Sequence, residues 1–472
     1  MSRTAHGSRS WRRWRSARAS SWILLTVARL AYGQDSPTAT GRAIDSAAPL
    51  GAGAPPAEAP ASESGERVLT LAEALRGALA RHPRLAVSNA NLAAAEARVA
   101  QARAPLLPEL GANGSYTRAT ANLATRNGPL PDASSRSYNA FSFGVSANQL
   151  VTDFGQTLGR LHVAEASRDA QRSNSEADRQ QLRLDVYSAY FAARAQKALL
   201  RVAEETLANQ DRHLASVSGF VEIGTRPTID RVQAQADRQR AELKRINADN
   251  DYAIAKARLL QTIGVDAPIP FDVSDDTLAP VTGEDGPSAV LYAQALAARP
   301  DLRAALDALR AQERSVDASR AGYYPSLNVS AGLTEAGPEL DRMRWNASAG
   351  ALFSWQIFEG GATRAAVHLA HANVDAASAQ ATLLRQQLLL EVEQARIGVV
   401  GAKHALSTAE LVVGSSRERL TLAEGRYQTG VGSLLELADA QLALTQAQGD
   451  RVQAEFSLAS ARAALLHALG RQ

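Results

Sequence analysis

The chain has 472 residues, 45% of them hydrophobic but only 5% aromatic, with two Met and no Cys. A chain of this length could hold about three compact domains, yet an Ala-rich, aromatic-poor composition buries little area per residue and suits long helices packed side by side. The lack of Cys excludes thiolate metal sites, disulfide scaffolds, cysteine nucleophiles and a lipid-modified N-terminal Cys. The net charge of +3 is unevenly placed: Arg3, Arg9, Arg12, Arg13, Arg15, Arg18 and Arg29 fall in residues 1–33 without any acid, so the remainder is mildly acidic.

Residues 1–33 join this basic stretch to a short apolar run at 22–28 and to the small residues Ala31 and Gly33, the pattern of a secretory signal cleaved before Gln34. The run is too short for a membrane-spanning helix, which needs about 20 residues. Arg12-Arg13 matches a twin-arginine signal only weakly. Residues 34–66 scatter Pro37, Pro49, Pro55, Pro56 and Pro60 among Ala, Gly and Ser without periodicity, and read as a disordered tether.

From Val68 onward the chain repeats itself. A shift of 217 lays His82-Pro83-Arg84-Leu85 over Arg299-Pro300-Asp301-Leu302, and Pro108-Glu109-Leu110 over Pro325-Ser326-Leu327. A shift of 206 lays Asp153-Phe154-Gly155 over Glu359-Gly360-Gly361, Gly224 over Gly430, and Ala234-Gln235 over Ala440-Gln441. The spacing predicts a tandem duplication: a first repeat over 67–264, a Pro/Asp-rich connector over 265–287 and a second repeat over 288–470.

Each repeat reads as a helix, two strands, a long helix and a returning helix. The first helix stops before Pro105 and Pro108, which forbid its continuation. Period-2 alternation then predicts strands near 110–118 and 139–152, and near 326–334 and 345–358, each with one apolar face and one face of Ser, Asn, Gly and Thr. Aromatics (Tyr116, Tyr138, Phe141, Trp345, Trp355) gather towards the strand ends. A tilted membrane strand needs about 9–11 residues and shows this alternation; a half-buried soluble sheet shows it too. Four strands cannot close a barrel, whose practical minimum is about eight, so a membrane role requires several copies.

Long helices are predicted over 156–223 and 361–429, returning as helices over 227–264 and 433–469. Leu388, Val392, Ala395, Val399, Ala402, Leu406, Ala409 and Val413 recur at alternating spacings of four and three, a coiled-coil seam. Gly224-Thr225-Arg226-Pro227 and Gly430-Val431-Gly432-Ser433 mark the reversals. The fold class is therefore mainly α with a small β part.

Catalytic readings find no support. The eight His show no H-E-x-x-H pattern, His368 and His371 lack a nearby acidic third ligand, and phosphate-loop and nucleophile-elbow strings are absent. Asp275-Asp276 and Glu284-Asp285 read as turn formers of the connector. No cofactor and no nucleic-acid partner is expected.

Several strings resemble the TolC-type outer membrane efflux proteins, or outer membrane factors. They are Leu71-Ala72-Glu73-Ala74-Leu75 with His82-Pro83, Tyr324-Pro325-Ser326-Leu327, and Ile357-Phe358-Glu359-Gly360-Gly361. The most telling is Arg426-Tyr427-Gln428-Thr429-Gly430-Val431-Gly432-Ser433-Leu434-Leu435-Glu436-Leu437, followed by Asp439-Ala440-Gln441. The resemblance covers about residues 68–470.

It implies a homotrimer in the outer membrane of a Gram-negative bacterium, with four strands per protomer completing a twelve-stranded barrel and the helices forming a periplasmic tunnel. It implies that the hairpin tips form a gate and dock a periplasmic adaptor linked to an inner-membrane pump. The matching tip positions are Gly224, Thr225, Thr228, Gly430, Val431 and Ser433. Tyr427 matches an aromatic near the family's gate and is Val221 in the first repeat. A basic residue that some members carry after the tip glycine is Arg226 in the first repeat but Gly432 in the second, which leaves a Tyr-to-Arg lock of the second-repeat kind without its arginine.

Glu436 and Asp439 share a helix face at i, i+3, and Asp230 holds the first-repeat position of Glu436. Under threefold symmetry these become carboxylate rings that attract cations; the alternative is three solvated surface acids. The resemblance points to the exit duct of a tripartite efflux system. An exit duct for type I protein secretion and a soluble periplasmic coiled-coil scaffold stand as alternatives.

Overall fold

A computed structural model describes residues 67–121, 136–266 and 270–471, all within the unit Gly65–Gln472. The expected signal sequence over 1–33 and tether over 34–66 lie outside the described residues.

Strand β1 (Arg67–Leu69) leads into α1 (Leu71–Arg81) through a capping box: the Glu73 amide donates to Thr70 Oγ1 and the Thr70 amide to Glu73 Oε2, both at 3.3 Å. His82 breaks the helix, and Pro83 starts α2 (Pro83–Arg103) at the position where its missing N–H costs nothing. Strands β2 (Glu109–Ala121) and β3 (Arg136–Thr152) follow, then α3 (Gln156–Glu222) and α4 (Thr228–Ile263).

The connector carries β4 (Phe271–Val273), and the second repeat runs α5 (Ser288–Ala298), α6 (Pro300–Arg320), β5 (Ser326–Gly337), β6 (Arg344–Ser354), α7 (Ala362–Gln428) and α8 (Leu434–Ala468). Helices α3 and α7 are each 67 residues long, roughly 100 Å at 1.5 Å per residue. Strand β6 stops at Ser354 rather than reaching 358, because the chain turns there towards α7 and the Trp355 indole N–H donates to the Tyr323 carbonyl at 3.1 Å.

Near the tips α3 lies between α4 and α8, with α7 against α8; towards the sheet α3 lies between α2 and α6, with α7 against α6. Helix α7 is thus an edge along its whole length. The expected seam is the packed one: Leu388, Val392, Ala395, Val399, Ala402 and Val413 are buried.

Among the described residues three apolar clusters hold the helices together. One joins Leu182, Val186, Tyr190 and Phe191 of α3 to Ala74, Ala78, Leu259 and Phe271; a second joins Val392 and Val399 to Leu291, Leu465 and Leu469. The third lies at the tips. The connector does more than turn. It carries β4, which pairs in parallel with β1 and so ties the starts of the two repeats together. Asp276 accepts from the Leu71 amide at 2.9 Å. Lys197 and its counterpart Lys403 reach connector carboxylates: Lys197 to Asp272 at 2.6 Å, and Lys403 to Glu284 at 2.7 Å.

Glu284 is only 4% exposed and also binds Arg462 at 3.1 Å. Burial alone would raise its carboxyl, but hydrogen bonds from Arg462, Lys403 and the Val281 amide outweigh that and hold it below the ordinary 4.5. Glu284→Gln is expected to cost the helical part about 3 kcal/mol by leaving the Arg462 guanidinium without its counter-charge, while Lys403 keeps Asp285 at 2.7 Å. Because the folded pKa is depressed, this stability is present above pH 4.5 and lost as pH falls through the folded value. Thermal unfolding followed by circular dichroism should therefore separate variant and parent at pH 7 and bring them together in acid.

Candidate functional site

The four long strands form one antiparallel sheet in the order β2-β3-β5-β6, and their alternation is in register. Leu110 pairs with Ala147, Gly114 with Phe143, Val145 with Leu333, and Leu327 with Phe353 on one face. Asn113 pairs with Gly144, Ser146 with Gly332, and Thr334 with Asn346 on the other.

A soluble half-buried sheet packs its apolar face and wets its polar one. Here Leu110, Phe143, Val145, Val329, Leu333 and Phe353 are exposed, whereas Ser142, Gly144, Ser146, Gly332 and Thr334 are half-buried among small neighbours. Strands β2 and β6 each keep one unpaired edge. In lipid such edges must be closed, since each unmet backbone group costs several kcal/mol. Among the described residues no helix is long and apolar enough to cross a membrane.

At the far end, two matching reversals join the helical hairpins. Gly224 (φ 76°) and Gly430 (φ 80°) adopt the left-handed conformation that a Cβ opposes. The Thr225 amide donates to the Phe220 carbonyl and the Val431 amide to the Arg426 carbonyl, both at 3.0 Å. Ser433 caps α8, its Oγ accepting from the Glu436 amide at 3.1 Å.

The tip cluster buries Val217 and Ala234 of the first hairpin against Ala423, Tyr427, Leu437 and Ala440 of the second. Tyr427 is 5% exposed, and its hydroxyl is buried without a hydrogen-bond partner among the described residues. The Arg226 guanidinium sits 4.7 Å from the centre of its ring, and the His213 ring centre is 5.8 Å away. Burial raises the Tyr427 hydroxyl pKa against the pull of Arg226. Burial lowers His213, opposed by Asp237.

The arginine after the first tip glycine thus serves the tyrosine of the second repeat. Gly432 cannot supply one. Its amide folds back to the Arg426 carbonyl at 2.8 Å, and an added Cβ would stand 2.9 Å from the Tyr427 nitrogen.

The expected acidic residues are near but not equivalent. Glu436 accepts an ion pair from Arg426 at 3.2 Å, Asp230 is half-buried and close enough to act on Tyr427, and Asp439 is exposed. Gly224, Thr225, Thr228, Gly430, Val431 and Ser433 are all exposed. Sequence reasoning did not single out His213, the Arg426–Glu436 pair, or the Gln210–Gln441 bond at 2.9 Å that links the hairpins. Of these only the last had a signal, since Gln441 lies in the repeated Ala-Gln string.

A family model described as outer membrane efflux protein matches residues 74–265 and 291–471, one segment in each repeat. The chain belongs to the outer membrane efflux protein family. It is 26% identical over 432 residues to the probable efflux pump outer membrane protein TtgC of Pseudomonas putida, covering 88% of this chain and 86% of that protein. It is also 26% identical over 424 residues to the outer membrane efflux protein BepC of Brucella suis, covering 85% and 86%. Its fold is similar to the CmeC outer membrane channel of Campylobacter jejuni, with a TM-score of 0.76 at 18% identity and 85% of each chain covered. The outer membrane protein VceC of Vibrio cholerae gives 0.73 at 21% identity, covering 85% of this chain and 96% of that one.

Family membership gives the sheet its solvent. The protein resides in the outer membrane, so the bare apolar face meets lipid and the small uncharged face meets water. The tips, at the other end of helices about 100 Å long, stand in the periplasm.

Proposed function

We propose that the protein is a passive trimeric channel whose barrel crosses the outer membrane and whose helices form a periplasmic tunnel, acting as the exit duct of a tripartite efflux system. The bare apolar face of a four-stranded sheet with two open edges carries this reading, since only further copies can close it. Support for a ring of copies comes from the helix edges. Helix α7 exposes Leu369, Leu383, Leu390, Ile397 and Leu411, all on one seven-residue period, and α4 exposes Ile229, Val232, Leu243, Ile246 and Ile254. Two unlike apolar edges make a head-to-tail contact that closes as a ring.

The exposed tips are the surface for a periplasmic adaptor, and an inner-membrane pump supplies the energy that a chain without a catalytic or phosphate-binding motif does not. Relatives named for toluene efflux, antibiotic efflux and pyoverdine export are 26%, 26% and 27% identical to this chain. Identity to these relatives therefore singles out no cargo for this chain, and the choice of cargo falls to the pump.

In the trimer, Asp230, Glu436 and Asp439 form acidic rings at the tunnel mouth. Purified protein in planar bilayers is expected to conduct and to prefer cations. Replacing all three carboxylates by Ala should bring the cation-to-anion permeability ratio to about one. A triple variant with unchanged selectivity would remove the rings, and a protein that never conducts would remove the duct.

A further inference from the structure

The two repeats meet along α3 in a joint whose parts recur, unused, at the edges of the protomer. Arg179-Gln180-Gln181-Leu182 of α3 returns at the shift of 206 as Arg385-Gln386-Gln387-Leu388 of α7. Leu182 and Leu388 are each 1% exposed, so the two strings turn the same faces inward and outward. The same shift takes His467 and Gly470, at the end of α8, back to Gln261 and Gly264, at the end of α4.

In the first string the second repeat engages both glutamines. The Gln180 side-chain amide donates to the Gly470 carbonyl at 3.1 Å, and Gln181 Oε1 lies 3.3 Å from His467 Nε2. In the second string both glutamines are exposed and have no hydrogen-bond partner among the described residues. The counterpart surface is equally bare. A cavity of about 480 Å³ opens at the end of α4, lined by His82, Pro83, Leu260, Gln261, Gly264 and Val265. Neither the Gly264 carbonyl nor the Gln261 side chain has a partner among the described residues.

The apolar positions obey the same relation. Ile397 of α7 is 57% exposed, whereas Phe191, its first-repeat equivalent on α3, is 1% exposed in the cluster that includes Ala459 of α8. Ile246 of α4 is 42% exposed, and its equivalent on α8, Val452, is 7% exposed. In a ring, α7 stands beside α4 of the next copy as α3 stands beside α8 within one copy.

We propose that the cavity at the end of α4 is a socket for α7 of a second copy of this chain, in which Gln386 donates to the Gly264 carbonyl and Gln387 bonds to the Gln261 amide. Each joint between copies then repeats the joint between repeats. The occupant follows from the duplicated string, whose first instance already fills the equivalent place at Gly470. The socket rests on the ring proposed above and adds its register. Apolar stripes are non-directional and could meet at several heights, whereas amide hydrogen bonds require one geometry.

The chain contains no Cys, so cross-linking by introduced thiols has no background. The full-length protein carrying Gln387→Cys and Gln261→Cys, solubilised in detergent and treated with a short bis-maleimide, should run on denaturing gels as covalent dimers and trimers. Gln387→Cys combined with Leu243→Cys, roughly 27 Å away along α4, should remain monomeric on the same gel. A protein that is trimeric by light scattering yet fails to cross-link through the first pair would overturn the socket and leave the ring standing. Equal cross-linking through the second pair would overturn the register. A protein that is monomeric by light scattering would overturn ring and socket together. Gln386→Ala/Gln387→Ala, at two exposed positions, should keep the helix content and weaken association about tenfold per joint; unchanged association would remove the glutamines from it.

Discussion

Ile397→Asp is expected to leave the protein monomeric while the protomer still folds. Ile397 lies on the outward stripe of α7, on the opposite side from the buried seam of Val392, Ala395 and Val399. Nothing inside the protomer depends on its packing, so helix content by circular dichroism should match the parent. In the proposed ring the same side chain would enter an apolar contact with α4 of the next copy. An unpaired carboxylate placed there costs several kcal/mol, once at each of three interfaces. A penalty of about 4 kcal/mol per contact weakens association roughly a thousandfold.

Light scattering of the detergent-solubilised protein, together with heat-sensitive migration in gels, distinguishes monomer from trimer. Leu390→Asp, one period earlier on the same stripe, should behave alike, and Ile397→Leu should remain trimeric. If both aspartate variants still form trimers, the stripe does not lie in the interface.

That stripe and its buried partner illustrate what could be read in the amino-acid order. Periodicity is a property of one element, so the 388–413 seam and the period-2 alternation of β6 follow from spacing alone. The reversals at Gly224 and Gly430 were equally legible, because left-handed backbone calls for glycine at those points. Contacts between distant segments were not. Arg226 meets Tyr427 only because two hairpins from different repeats lie side by side, and no local rule registers one hairpin against another.

The three-residue strands β1 and β4 are too short to show a period. Asp276 and Glu284 look like turn residues within the connector. Their role depends on Leu71, Arg462 and Lys403, each far away in sequence. The direction of the sheet was half legible: alternation defines two faces, and the family resemblance, rather than the pattern, assigned the apolar one to lipid.

The second large effect is expected at Tyr427, where two substitutions should act in opposite directions. Tyr427→Ala empties the centre of the tip cluster and removes the ring under Arg226. Losing a buried aromatic costs about 3–5 kcal/mol, here drawn from the contact that holds the hairpins together. The mouth should therefore open, with single-channel conductance rising several-fold and amide exchange in the tip helices accelerating. Tyr427→Phe keeps the ring, its packing and the attraction for Arg226, and deletes only a hydroxyl that is buried without a partner. An unsatisfied buried hydroxyl costs roughly 1–3 kcal/mol, so this variant should leave conductance low and slow the exchange of the tip amides. If Tyr427→Phe instead opens the channel, the hydroxyl must find its acceptor on a neighbouring protomer, and the closed mouth would be held between subunits rather than within each one.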